Sequence, residues 1–282
     1  MTGYTRTFHL GSATISVINV GDIRFRLVET ISVPESEWRP RYGEIFEQAL
    51  NFPSQCVHIA LPGASMLVDA GDFALSFPPD SPYFQPGYQP PPVLIEQLRE
   101  RGIHPGDITH LIITHAHFDH YSGVTIQING HYVPAFPNAR CFIGRADWEN
   151  PEIQQALQDP GSEDSHTLAV LHRRDLLELV EGNRDLLPAV RIIAAPGESP
   201  GHQIVRVHSE GHTLYCLGDL YHHAIEVEQP AWMAEWAGRD ANIASRHALA
   251  EAALAENALL VAAHMPVGRL ERTGSGVKWV NA

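Results

Sequence analysis

The chain has 282 residues, 44% of them apolar, enough to fill the core of a large α/β domain and too many for a disordered chain. Its formal charge is −14, with 19 Lys and Arg against 33 Asp and Glu and Lys278 as the sole lysine, so it offers little to phosphate backbones or anionic substrates. No apolar run approaches the roughly eighteen residues of a membrane span.

The amino terminus lacks a basic segment followed by an apolar one, so no secretory signal is expected. Cys56, Cys141 and Cys216 are widely separated and odd in number, as buried thiols of a cytoplasmic protein would be. Residues 13–30 alternate loosely and predict a hairpin turned at Gly21-Asp22. Residues 33–55 carry Pro34, Trp38, Pro40 and Pro53 and read as a long loop with one helical turn near residues 45–50. Strands are expected at 57–61 and 65–69, joined at Pro62-Gly63, with Asp69 closing the second. Residues 77–92 hold seven prolines among Phe77, Tyr83, Phe84 and Tyr88, the make-up of a lid, a dimer contact or a stiff excursion. A homodimer is one of the readings that this stretch leaves open. Residues 93–101 predict a helix stopped by Gly102 and Pro105.

The next stretch, residues 108–114, is short, apolar and β-branched, and reads as a buried strand. It runs into Thr-His-Ala-His-Phe-Asp-His, so His115, His117, Asp119 and His120 emerge together at its end. Imidazole and carboxylate heads are costly to bury without partners. They are also the donors that a borderline divalent cation such as zinc takes as ligands. A helix or turn should follow at Tyr121-Ser-Gly123, then a strand at 141–144, a helix start at 146–149 with Trp148 packing, and a helix at 165–179. A strand at 190–194 leads into Pro196-Gly-Glu-Ser-Pro-Gly-His202, a stiff loop that ends on a histidine. Strands at 203–208 and 212–217 turn at Glu210-Gly211, and the second ends in Gly218-Asp219. An alanine-rich helix at 241–256 and a strand at 258–262 then deliver His264. No linker or repeat divides the chain, so residues 1–282 are read as a single domain.

The motif H-x-H-x-D-H, followed in order by Pro200-Gly201-His202, Gly218-Asp219 and Ala263-His264-Met265-Pro266, resembles the ligand segments of the metallo-β-lactamase-fold hydrolases. The resemblance runs from about Asp69 to His264. It implies an α/β fold, an αββα sandwich of two mixed β-sheets flanked by helices. It also implies two divalent metal ions, zinc first, with Mn, Fe or Co compatible with the same donors. Carried over residue by residue, His115, His117 and His202 would hold one metal, and Asp119, His120 and His264 the other. Asp219 would bridge the two, and Asp69 would brace a ligand histidine. A water shared by the metals would become a hydroxide near neutral pH, with Asp119 steering it or passing a proton to the leaving group.

Within the family, the segments after Asp219 and His264 look most like the acyl-homoserine-lactone lactonase and methyl-parathion-hydrolase group. That implies hydrolysis of a neutral lactone or related ester, as in quorum quenching. Phosphotriester or thioester hydrolysis is the alternative, and a non-catalytic metal-binding or sensing domain stands behind both. One position departs from the pattern: the lactonases carry a tyrosine three residues after the bridging aspartate, and His222 stands there instead. A site-facing role as substitute donor is expected of it. Neither nucleic acid nor membrane is expected as a partner.

Overall fold

The computed structural model describes residues 3–71, 85–274 and 276–282. Most described strands fall into two large sheets. In the first, β1 (Thr5–Leu10), β2 (Ala13–Phe25), β3 (Leu50–Leu61), β4 (Ala64–Val68) and β5 (His110–Ile112) lie side by side. Past the small hairpin of β6 (Thr125–Ile128) and β7 (His131–Pro134), the sheet continues with β8 (Arg140–Gly144) and β9 (Leu177–Val180). The second runs β10 (Arg184–Leu187), β11 (Val190–Ala194), β12 (Gln203–Ser209), β13 (His212–Cys216), β14 (Leu259–Val261), β15 (Gly268–Arg272) and β16 (Val277–Asn281). Both sheets are mixed: β4 to β9 pair in parallel across the first, as β13 and β14 do in the second, and the remaining pairs are antiparallel.

The two-residue period of the strands sorts their side chains into layers. Met66, Val68, Ile112 and Phe142 face Val205, Val207, Leu214 and Val261 in a core between the sheets. Their neighbours Leu67, Leu111, Ile113 and Cys141 point the other way, beneath Leu94 and Leu98 of α2 (Leu94–Arg99) and a later helical stretch carrying Leu168 and Leu171. On the far side, Tyr215, Leu217 and Leu260 pack under Leu249 and Ala253 of the long helix 239–255. The sequence expectation of an αββα sandwich therefore holds.

Four expectations need correction or fall outside the structure. Gly21-Asp22 is not a turn: β2 runs through it with a register shift between Asn19 and Gly21, and the hairpin turn lies at Gly11, where φ is 57°. Glycine inside a strand marks a bulge as readily as a turn. The supposed loop at 33–55 holds α1 (Glu35–Glu47), despite Pro40 and a kink at Tyr42. Its Trp38 and Phe46 are buried with rings 4.9 Å apart, and that burial outweighs the poor helical signal. Beyond α2, the chain forms α3 (Phe118–Tyr121), α4 (Arg145–Trp148), α5 (Pro151–Ala156), α6 (Glu163–His166), α7 (Leu168–Arg173), α8 (Ala224–Glu228) and α9 (Arg239–Ala255). The helix expected at 165–179 is thus two short helices broken at Thr167, followed by β9, whose residues pair in register with β8. Of the proline-rich stretch, 77–84 lies outside the described residues, while Tyr88 hydrogen-bonds Asp22 at the edge of the first sheet. Among the described residues no helix is long and apolar enough to cross a membrane.

Candidate metal centre

The segments after β4, β5, β11, β13 and β14 meet at one end of the sandwich, the carboxyl ends of their strands, where loops are free to carry function. They bring Asp69, the His115–His120 run, Glu198 and His202, Asp219 and His264 into one cluster. Close backbone contacts fix the loops. Gly218 has φ +51°, and a Cβ there would lie 2.6 Å from Thr114 Oγ1 and 2.9 Å from His202 Nε2. Asp147, buried on α4, receives the Ala116 N–H at 2.9 Å, the Ser199 hydroxyl at 2.8 Å and the Gly201 N–H at 2.5 Å. One carboxylate thus ties the first histidine loop to the one before His202, a role that the sequence reading missed.

Three histidines are oriented through Nδ1. That of His120 lies 2.9 Å from Asp69 Oδ2, that of His264 2.8 Å from the Pro53 carbonyl, and that of His202 3.0 Å from the Ala195 carbonyl. Carbonyl and carboxylate oxygens only accept, so in each ring Nδ1 donates and Nε2 keeps its lone pair for the cluster. Asp69 thus accepts the Nδ1 proton of His120, one of the histidines that the sequence reading takes as a candidate ligand. It sits at φ 60° in the left-handed region and also accepts the Thr114 N–H at 2.7 Å. The Pro53 carbonyl is available because β3 extends past the end of β4, and the same overhang lets Gln55 hydrogen-bond the backbone of Ala262 and Met265 on either side of His264.

The donors form two groups around Asp219. Ligand atoms of Asp119, His120, Asp219 and His264 all lie within 4.8 Å of one another, as do those of His115, His117, Glu198 and Asp219. Asp219 Oδ2 is 3.2 Å from His120 Nε2, 3.3 Å from His264 Nε2 and 3.8 Å from His115 Nε2. His115 Nε2 and His117 Nδ1 are 2.8 Å apart. His202 stands just outside both groups, its Nε2 accepting the Asp219 N–H at 3.3 Å. His222 does face the cluster, with Nε2 3.4 Å from Asp219 Oδ2 and 3.6 Å from Glu198 Oε1. Glu198 was overlooked in the sequence; the signal that could have found it is a carboxylate within the same stiff loop as His202.

The residues fit a pair of divalent cations. His120 Nε2, Asp219 Oδ1 and Glu198 Oε2 are buried without a hydrogen-bond partner, although such groups are normally satisfied. The electrostatics also call for positive charge. Burial works against a charged His120 or His264, but Asp219 and Asp119 outweigh it; they hold His120 well above the ordinary imidazole value and push His264 up to about 9. Burial would raise Asp219, yet His264 and His120 hold it well below the carboxylate range. Burial, together with its histidine neighbours, keeps His115 well below the ordinary value. Protons on these imidazoles and metal ions are alternative ways to neutralise one anionic cluster. On the open side, the His117 side chain is 37% exposed, and Trp236, 55% exposed, stands 6.1 Å from its ring and 6.2 Å from that of His222.

The pattern of the Metallo-beta-lactamase superfamily matches residues 51–264, a span that holds every donor described above. The chain belongs to the metallo-beta-lactamase superfamily. Within it, the chain is similar to an N-acyl homoserine lactonase of Bacillus cereus, 28% identical over 124 residues, and to one of Bacillus thuringiensis, 26% identical over 140 residues. These matches take in 44% and 45% of this chain and 42% and 45% of the relatives, so the chain spans less than half the length of the curated relatives it matches. The superfamily fold extends over nearly all of the chain. A structure of AidC, a dizinc quorum-quenching lactonase in complex with a product, superposes with TM-score 0.76 at 21% identity, covering 99% of this chain and 97% of that one. The hydrolase AbOPH superposes with TM-score 0.79 at 16% identity, covering 100% and 98%.

Proposed function

We propose that the protein is a dinuclear metal-dependent hydrolase that opens a lactone or cleaves a related neutral ester. The observation that carries this reading is the pair of donor groups sharing Asp219, with buried ligand atoms left unsatisfied, in a member of this superfamily. The N-acyl homoserine lactonase relatives and the net charge of −14 favour a neutral lactone over an anionic substrate. Asp119, His120, Asp219 and His264 would hold one ion, and His115, His117, His202 and Asp219 the other; zinc is the first expectation, with Mn, Fe or Co accepted by the same donors. When bound, the ions supply an activated water and a Lewis acid.

The chain's own residues do the rest. Asp119 is 16% exposed in its side chain, and its Oδ2 lies 3.3 Å from His264 Nε2; there it would take a proton from the attacking water and return it to the leaving alkoxide. His222 Nε2 stands beside Asp219, where it would hydrogen-bond the oxygen on which charge develops. Trp236 offers an apolar wall for an acyl chain. The test is proton release by the metal-loaded protein over a panel of lactones, with a phosphotriester and a thioester alongside, since ring opening liberates one acid per turnover. Chelator-sensitive release on lactones, absent in Asp219→Ala, is expected. Full activity in excess chelator, with the metal shown to be gone, would sink the proposal, and a signal confined to the phosphotriester or thioester would move the substrate class.

A further inference from the structure

We infer that Glu198 supplies a carboxylate oxygen to the metal ion held by His115 and His117, as a donor beyond the seven carried over from the family pattern. This rests on the metal-centre reading above. Glu198 is 2% exposed, and its ion-pair neighbours among the described residues are imidazoles: Oε1 lies 3.5 Å from His117 Nδ1 and 3.6 Å from His222 Nε2. Oε1 accepts the Trp236 indole N–H at 2.5 Å, whereas Oε2 is buried without a partner. A carboxylate in such a place is costly unless a cation meets it. The indole bond fixes the orientation of the group, as hydrogen bonds commonly do for ligating carboxylates.

His202 makes the contrast. Both its ring nitrogens have backbone partners, Nδ1 at the Ala195 carbonyl and Nε2 at the Asp219 N–H. Glu198 is the residue of that loop with an unsatisfied carboxylate oxygen, Oε2, and one of its two oxygens falls inside the group with His115, His117 and Asp219. With Asp119 and Asp219 it would bring a third carboxylate to the pair, shifting the donor set toward oxygen and so toward harder ions than zinc.

The test combines metal titration of the chelated protein with a structure of the zinc-loaded crystal. The wild type should take up two ions, and Glu198→Gln, which keeps the size of the side chain and its acceptor for Trp236, should bind one of them at least tenfold more weakly. In the crystal, a Glu198 oxygen should lie about 2.0–2.2 Å from zinc. A wild type that takes up two ions, with no Glu198 oxygen within about 3 Å of either, overturns the inference and leaves the centre standing. Affinities of Glu198→Gln within threefold of the wild type overturn it equally. A wild type that binds no ion overturns both readings. The crystal measurement needs no variant, so a Glu198→Gln protein that fails to fold does not remove the test.

Discussion

Replacing Arg246 by Met should cost about 3–5 kcal/mol of folding stability without touching a metal donor. Arg246 is 1% exposed; its guanidinium donates to the carbonyls of Leu220 at 2.8 Å, Pro230 at 3.2 Å and Trp232 at 2.5 Å, and to Glu226 Oε1 at 2.7 Å. Glu226, wholly buried, accepts the N–H groups of His222 and His223 through Oε2 at 2.5 and 3.0 Å. Removing the arginine strands that carboxylate and frees three carbonyls. The same network sets a pH dependence. Burial alone would raise the Glu226 carboxyl, but Arg246 first, then His222 and the His223 N–H, bring it from 4.5 to about 2, which corresponds to about 3 kcal/mol. A depressed folded-state value means that this stability is present above the ordinary carboxyl value and is lost as pH falls toward 2. The assay is urea unfolding of chelated wild type, Arg246→Met and the double variant Arg246→Met/Glu226→Gln at neutral pH. The double variant should recover at least about 1 kcal/mol relative to Arg246→Met, because the stranded charge is gone. A single variant within about 1 kcal/mol of wild type, or a double variant no better than the single, would refute the reasoning.

Three further outcomes are expected. Asp69→Asn would set an amide against the Nδ1 donor of His120 and should weaken zinc binding about 10–100-fold in a chelator competition; unchanged affinity would show that the brace is dispensable. Gly218→Ala and Gly211→Ala impose the same backbone penalty, at φ +51° and +81°, but only at Gly218 would the new Cβ meet other atoms. Gly218→Ala should therefore cost more by about 1–3 kcal/mol and lose metal, and equal unfolding midpoints would contradict the close approach. His58, buried beside the Ser65 hydroxyl at 2.8 Å, has its imidazole pushed by burial from 6.5 down to about 4. The unfolded histidine takes up a proton that the folded one refuses, so stability should fall by about 3 kcal/mol between those pH values. In His58→Gln that slope should flatten, and a slope equal to that of wild type would assign the acid loss to other groups.

Strand ends carrying His or Asp were legible because each sits where an apolar run stops, and the strand read at 190–194 is the β11 observed. What escaped was settled by partners distant in sequence. The 35–47 helix survives an internal proline because Trp38 and Phe46 pack with Ile225 and Trp232, roughly 180 residues on. Leu177–Val180 satisfies helix and strand patterns alike, and only its pairing with β8 decides. Pro53 argued against a strand, yet it lies on the overhang of β3, where no β4 residue needs its missing N–H. For Glu198 no periodicity exists to read: its burial depends on Trp236 and His222, which the fold alone brings beside it.

Each candidate donor group draws on the loops of both sheets: Asp119 and His120 with Asp219 and His264, and His115 and His117 with Asp219 and the loop that carries Glu198 and His202. Neither half of the chain owns a complete set. An ion can therefore be captured only once the sheets have docked, and wherever that docking follows the rate-limiting step of folding the ion takes no part in that step. It should then act on the exit from the native state, leaving the refolding rate unchanged and slowing unfolding by nearly the whole of its binding free energy. In this molecule metal would govern how long the native state lasts, not how quickly it forms.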